Sequence, residues 1–152
     1  MPELSTLTLV PQTFASESYP SGDQTWDDPA NAGASDDSYA SSIVGGSLGN
    51  DPYFTEALRC TNMTNVGSIP ADATFKGLKV TVERHYSEVI GDAKVYDFVV
   101  QLYDGSNRVG DNKGSESILW AKDTDAEQEF GGSTDKWGEH HMSVDDFKGS
   151  DW

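Results

Sequence analysis

Residues 75–103 limit the fold of this chain more than any other stretch. Apolar and polar residues alternate through Leu78, Val80 and Val82. A second run, residues 95–103 within an expected strand over 93–103, is apolar on both parities. A period of two marks a β-strand with one buried face, and a run apolar on both parities reads as a strand covered on both. Gly91 and Asp92 lie between them as a turn, so the two runs are expected to pair antiparallel.

Shorter segments of the same kind surround this pair. Residues 38–44 read as a strand closed by Gly45 and Gly46, and residues 53–63 as another, although 56–60 also fit a helical turn. Pro70 presets a turn ahead of Phe75. Asp104-Gly105-Ser106-Asn107 is a hairpin turn, because Gly and Asn tolerate the positive φ such turns need. Residues 108–113 and 118–122 follow as short strands, and the acidic segment 123–129 is expected at an exposed edge or in a loop. Ser143 is placed to cap one helical turn reaching Asp146 and Phe147.

The N-terminal part reads differently. Leu4, Leu7 and Leu9 alternate with polar residues before Pro11 interrupts, as in a first strand or an attachment arm. Residues 14–37 are rich in Ser, Asp, Gly and Pro, with Tyr19 and Trp26 isolated among them. That is loop composition, yet it is long for a loop, so a short strand lies within it or its aromatics cover a sheet edge. Residues 1–23 are therefore read as an arm and docking segment, and residues 24–152 as the domain. No repeat or heptad is present, so no coiled-coil stalk is encoded. The expectation is an all-β fold, a two-sheet antiparallel sandwich of the jelly-roll kind, with about eight short strands.

Charge excludes some partners. With 152 residues the chain has the length of one domain, and its net charge is −16. Such a chain repels nucleic acid and anionic membranes, so neither is an expected partner. Residues 1–10 carry no basic leader and no long apolar run, so neither a signal peptide nor a membrane helix is expected. Release by cell lysis within a virus particle fits that reading. The single cysteine, Cys60, is expected to be a buried, inert thiol.

No reactive constellation stands out. His140 and His141 are adjacent, so on a strand they point to opposite faces and share a metal poorly; a zinc or nickel site completed by Asp135 is the lesser reading. Asp27, Asp28, Asn31, Asp36 and Asp37 offer hard oxygens, but the spaced calcium-loop pattern is missing. No cofactor or metal is expected, with calcium the minor exception. Among 26 acids a chance carboxylate pair carries no information about glycoside hydrolysis. No Gly-x-Ser-x-Gly elbow occurs, and Gly45-Gly46-Ser47-Leu48-Gly49 lacks the lysine of a phosphate loop. Trp120 and Tyr103, near turns, are the candidates for stacking on a sugar, although aromatics in a sandwich more often anchor the core.

Four ordered phrases carry a resemblance. They are Trp26-Asp27-Asp28-Pro29-Ala30-Asn31-Ala32, Ser35-Asp36-Asp37-Ser38-Tyr39-Ala40, the run from Ser68-Ile69-Pro70 through Val80-Thr81-Val82-Glu83-Arg84, and Phe130-Gly131-Gly132-Ser133-Thr134-Asp135-Lys136-Trp137-Gly138. Together they resemble a family of β-sandwich domains found in tailed-phage virion proteins and in large secreted bacterial proteins. The resemblance implies structural roles. Trp26 and Pro29 would seat the loop that leads in, Tyr39 would start a strand into the core, and Pro70 would turn the chain before the central strand. Trp137 and Gly138 would pack a late loop under the sandwich. His140 and His141 depart from the family pattern. So does the chain's end at Trp152, where the family continues into another apolar strand; either the chain is cut short or a neighbouring subunit supplies that strand.

The function expected is a non-enzymatic structural protein of a phage particle, docked in many copies on other proteins of the capsid, neck or tail. The alternative is an adhesive module for a surface glycan.

Overall fold

The computed structural model describes residues 5–18, 24–43, 53–87, 94–105, 107–139 and 142–148. Among these residues the regular structure is seven short strands and three 3₁₀ turns, with no longer helix, so the fold is all-β. No described helix is long and apolar enough to cross a membrane. The chain divides into two compact units, Met1–Ala71 with Phe147–Trp152, and Asp72–Asp146. Leu4, Tyr19, Gly45, Gly46, Gly91, Asp92, Ser106, His140, His141 and Trp152 lie outside the described residues.

In the first unit β1 (Thr13–Glu17) pairs antiparallel with β2 (Ala57–Thr61), from Thr13 opposite Thr61 to Glu17 opposite Ala57. The stretch read as arm and loop thus holds a strand. A short strand is one of the two expectations for residues 14–37; composition alone does not place it, because Phe14 is its one large apolar residue and Ser, Asp and Pro surround it. The pairing continues upstream: Gln12 N–H donates to the Thr61 carbonyl at 3.1 Å, and Thr64 N–H to the Val10 carbonyl at 2.8 Å. Thr64 Oγ1 in turn accepts the Val10 N–H at 3.0 Å. Residues 10–17 are therefore fixed along residues 57–64 rather than free. β2 also settles residues 56–60, which are extended and not a helical turn.

Trp26 closes this pair. Its indole N–H donates to the Glu56 carbonyl at 2.7 Å, and its backbone N–H to Ser16 Oγ at 3.0 Å. Ser16 Oγ donates onward to Glu56 Oε2 at 2.6 Å. Pro29 opens the 3₁₀ turn Pro29–Gly33, where its missing N–H costs nothing and its fixed φ fits. The described residues 38–43 do not form the strand expected over 38–44. Only Ser41 pairs, in an isolated bridge with Asp27, and Tyr39 is half-buried in irregular chain.

The second unit is built on β3 (Lys79–Tyr86), which starts four residues later than the alternation from Phe75 indicates. It is the middle of the three-stranded order β6–β3–β7, with β6 (Ala121–Lys122) parallel and β7 (Ala126–Gly131) antiparallel. Of the expected partner, residues 93–103, the described residues 94–103 do not pair with β3. Residues 95–100 are bonded instead to residues 112–120. Trp120 N–H donates to the Val95 carbonyl at 2.9 Å, and Lys113 N–H to the Val100 carbonyl at 2.8 Å. Asn112 locks this arrangement: its Oδ1 accepts the Val100 and Gly114 N–H groups at 2.9 Å each, and its Nδ2 donates to the Phe98 carbonyl at 3.0 Å. A side-chain amide that satisfies both sides of a loop substitutes for a ladder.

The Asp104–Asn107 turn does join a hairpin, β4 (Leu102–Asp104) with β5 (Asn107–Val109), with Gly105 at φ 60°. The acidic segment becomes β7, an edge strand. At the end of this unit, Asp146 Oδ2 accepts the Ser143 backbone N–H and hydroxyl at 2.6 and 2.9 Å, tying Ser143 to the start of the turn Asp146–Lys148. The buried apolar residues among those described are Phe130, Trp137 and Met142 in the second unit and Phe147 in the first.

Candidate functional site

β3 presents Val80, Val82, Arg84 and Tyr86 on one face, since alternate residues of a strand share a face. The alternation marks Val82 as core, yet Val82 is 37% exposed, whereas Arg84 is 4% exposed. The centre of that face is a buried charge. An isolated bridge between Tyr96 and Leu119 carries Asp97 and Trp120, the residues that surround the guanidinium. Arg84 Nε lies 2.9 Å from Asp97 Oδ2, and the guanidinium carbon lies 5.4 Å from the centroid of the Trp120 ring.

The ion pair is close but not well aligned. Arg84 Nε and Asp97 Oδ2 meet outside hydrogen-bond geometry, and the buried Trp120 indole N–H has no hydrogen-bond partner among the described residues. Arg84 Nη2 is buried with no hydrogen-bond partner among the described residues. Burial pushes the Asp97 carboxyl above its usual range, opposed by the charge of Arg84 and by the Trp120 and Arg84 N–H groups. Arginine does not exchange protons in the accessible pH range, so the cluster is a clamp between β3 and the 96–120 segment rather than a proton relay.

A second cluster surrounds Trp137, which is fully buried. Its indole N–H donates to the Leu78 carbonyl at 2.9 Å, an oxygen that also accepts the Gly132 N–H at 3.0 Å. Its backbone N–H donates to Asp135 Oδ1 at 2.7 Å, and its carbonyl accepts the Asp111 N–H at 2.6 Å. Lys113 reaches across the ring, 5.7 Å from its centroid, to pair with Asp135 at 2.8 Å. Hydrogen bonds from Lys113 and from the Trp137 N–H hold the Asp135 carboxyl below its usual range. Two glycines make the hook possible. Gly131 and Gly138 both have φ 76°, and a Cβ on them would strike the Leu78 carbonyl and Asp111 Oδ1 respectively.

The residues singled out from the sequence fall into groups. Trp26, Pro29, Trp137 and Gly138 are in structural positions as described. Pro70 is exposed just before the turn at residues 71–72, and Tyr39 contributes its carbonyl to Asn31 Nδ2 at 3.3 Å. Leu7 is 44% exposed and Leu9 half-buried. Of the sugar-stacking candidates, Tyr103 lies on β4 and Trp120 just before β6, and each has one ring face covered by an arginine. Arg84 covers Trp120, and Arg108 lies 5.6 Å from the Tyr103 centroid while its Nε donates to the Tyr103 hydroxyl at 3.0 Å. A sugar would have to use the opposite faces. Among the described residues no three His, Cys, Asp or Glu gather as a metal site, and Asp36 Oδ1 accepts the Ser38 N–H at 3.1 Å within its own turn.

No protein family, curated protein or solved structure matches this chain.

Arg84, Asp97, Asn112 and Lys113 were not singled out from the sequence. Arg84 had a signal, since it continues the apolar parity of Val80 and Val82. Asp97 had another, as an acid inside an otherwise apolar run. Cys60, on β2, is the remaining reactive side chain in the first unit, and burial raises its thiol to about 11. Cys60 is half-buried rather than fully buried; iodoacetamide at neutral pH should therefore alkylate it more slowly in the folded chain than in denaturant, and equal rates would contradict the raised thiol pKa.

Proposed function

We propose that the chain is a non-catalytic β-sandwich module of a tailed-phage particle, docked in multiple copies on other particle proteins at the capsid, neck or tail. The observation that carries this reading is the phrase at residues 130–138. Its residues form a hook around the buried Trp137, whose indole N–H and carbonyl bond the backbone of Leu78 and Asp111 and whose backbone N–H bonds the Asp135 carboxylate. A family whose recognisable residues are scaffold residues would have this pattern. The charge of −16 supports docking against basic protein surfaces and disfavours a nucleic-acid role.

Docking by residues 1–10 has to be tested without disturbing β1, because Val10 is bonded to Thr64. Leu7, exposed at 44%, is the suitable probe. The protein should co-sediment with purified particles on a density gradient, and Leu7→Ser should reduce incorporation while changing stability by less than about 0.5 kcal/mol. Protein that stays in the soluble fraction, for the native chain, would overturn the reading. The glycan alternative predicts binding on a glycan array that Tyr103→Ala abolishes.

A further inference from the structure

β7 lies at the edge of its sheet, and its register with β3 shows which of its backbone groups face outward. Gly132 N–H donates to the Leu78 carbonyl, so residues 78 and 132 form a hydrogen-bonded pair of the antiparallel ladder. Such pairs alternate with non-bonded ones. Phe130, Gln128 and Ala126 therefore point their N–H and C=O groups toward β3. Glu127, Glu129 and Gly131 point theirs away, to the side where no described strand lies. All three are exposed. The one outward group with a bond is the Glu129 carbonyl, which accepts Gln128 Nε2 at 2.9 Å from the same strand.

The side chains beside this edge share one sign. Asp125, Glu127 and Glu129 occupy alternate positions and project from one face, where Glu83 stands directly opposite Glu127 in the register. Lys79 and His85 sit at the two ends, against Glu129 and Asp125. Like charges directly opposite each other disfavour a pair, and an acidic row also disfavours a second copy. Two β7 strands laid antiparallel would set Glu127 and Glu129 against each other's counterparts.

We propose that β7 is a docking edge for an extended segment of a partner protein that carries lysine or arginine at alternate positions. The guest would add a strand by pairing with the outward groups of Glu127 and Glu129, displacing the Gln128 amide from the Glu129 carbonyl. Its basic side chains, on the face of Asp125, Glu127 and Glu129, would set opposite charge against Glu127 and share Glu129 and Asp125 with Lys79 and His85. Backbone pairing sets the register and charge selects the guest. This holds whether or not the chain belongs to a particle.

The probe is a synthetic peptide of about nine residues alternating lysine and threonine, added to the full chain and followed by amide hydrogen exchange. The Glu127 and Glu129 amides should become protected, and affinity should fall with added salt. The same peptide N-methylated on the backbone amides of one edge keeps its charge but cannot pair; it should bind about tenfold more weakly or less. Glu127→Pro removes an outward N–H without touching the ladder to β3, so it should abolish binding and keep the fold. Glu127→Gln with Glu129→Gln should weaken binding and flatten its salt dependence. Equal affinity for the methylated peptide would reduce the contact to non-specific charge attraction and overturn the proposal. So would binding without protection at Glu127 and Glu129, an acidic peptide bound equally well, or self-association of the native chain that Glu127→Pro abolishes.

Discussion

Arg84→Met should destabilise the chain by about 3–5 kcal/mol, the cost typical of removing one partner from a buried ion pair. Methionine matches the length of the arginine stem, so the packing against Trp120 is largely kept. What is lost is the charge that opposes the burial of Asp97. The carboxylate is then left in a site that already pushes its pKa up, with its counter-charge gone. Asp97→Asn should cost less. It strips Arg84 of its counter-ion but also removes a carboxylate whose ionised form the site disfavours. Arg84→Met combined with Asp97→Leu should recover most of the loss, because two apolar side chains of similar volume need no compensation. Urea melts of the four proteins measure this directly. Equal losses for the two single variants, with no recovery in the double, would show that packing rather than charge governs the site.

The same pair has a pH signature. The folded-state pKa of Asp97 is raised above its ordinary value of 3.8, so the folded chain binds that proton more tightly than the unfolded chain. Its contribution therefore opposes folding at neutral pH, and that opposition fades as pH falls through the folded pKa toward 3.8. Asp135 has the opposite sign. Its pKa is lowered, so its contribution is present above its unfolded value and disappears as pH falls through the folded one. The stability difference between the native chain and Asp97→Asn should thus shift in favour of the native chain on mild acidification. The difference from Asp135→Asn should shift against it at lower pH.

How legible the molecule is from its residues depends on what held each segment. β3 and the Asp104–Asn107 hairpin were readable because local pattern and local structure agree there. The pairing was not. Residues 93–103 are apolar enough to be strand, but their backbone is taken up by Asn112 and by the 119–120 bridge, contacts that no period reports. Residues 123–129 read as an exposed edge or a loop, because their acids mask Ala126 and Gln128, which face the ladder; the edge is what the structure has. A strand within residues 14–37 is expected as one alternative, but the polar average does not place β1. The resemblance phrases led to the Trp137 hook, whereas the Arg84 cluster lay in plain view as the next residue on an apolar parity. A charged residue at a core position argues against itself in a sequence, because its partner lies 13 positions away on an irregular segment.

The largest effect outside the ion pair belongs to Trp137, and its backbone makes the prediction unusually specific. Trp137 is 0% exposed, so Trp137→Ala should cost about 3–5 kcal/mol through lost burial and the cavity left behind. Part of that loss is the hydrogen bond to the Leu78 carbonyl, which Gly132 also serves, so that oxygen is not left unsatisfied. Trp137→Phe, which keeps most of the apolar contact, should therefore lose only about 1–2 kcal/mol. The residue also stands at φ 56°, where a side chain is strained and glycine is not. Glycine normally destabilises relative to alanine in regular structure; here Trp137→Gly should be the milder of the two by about 0.5–1 kcal/mol. The order expected in denaturant melts is native, then Phe, then Gly, then Ala. If Ala proves milder than Gly, the left-handed turn at Trp137 is not what shapes the hook. If Phe proves as damaging as Ala, the indole N–H rather than the buried ring holds residues 130–138 against β3.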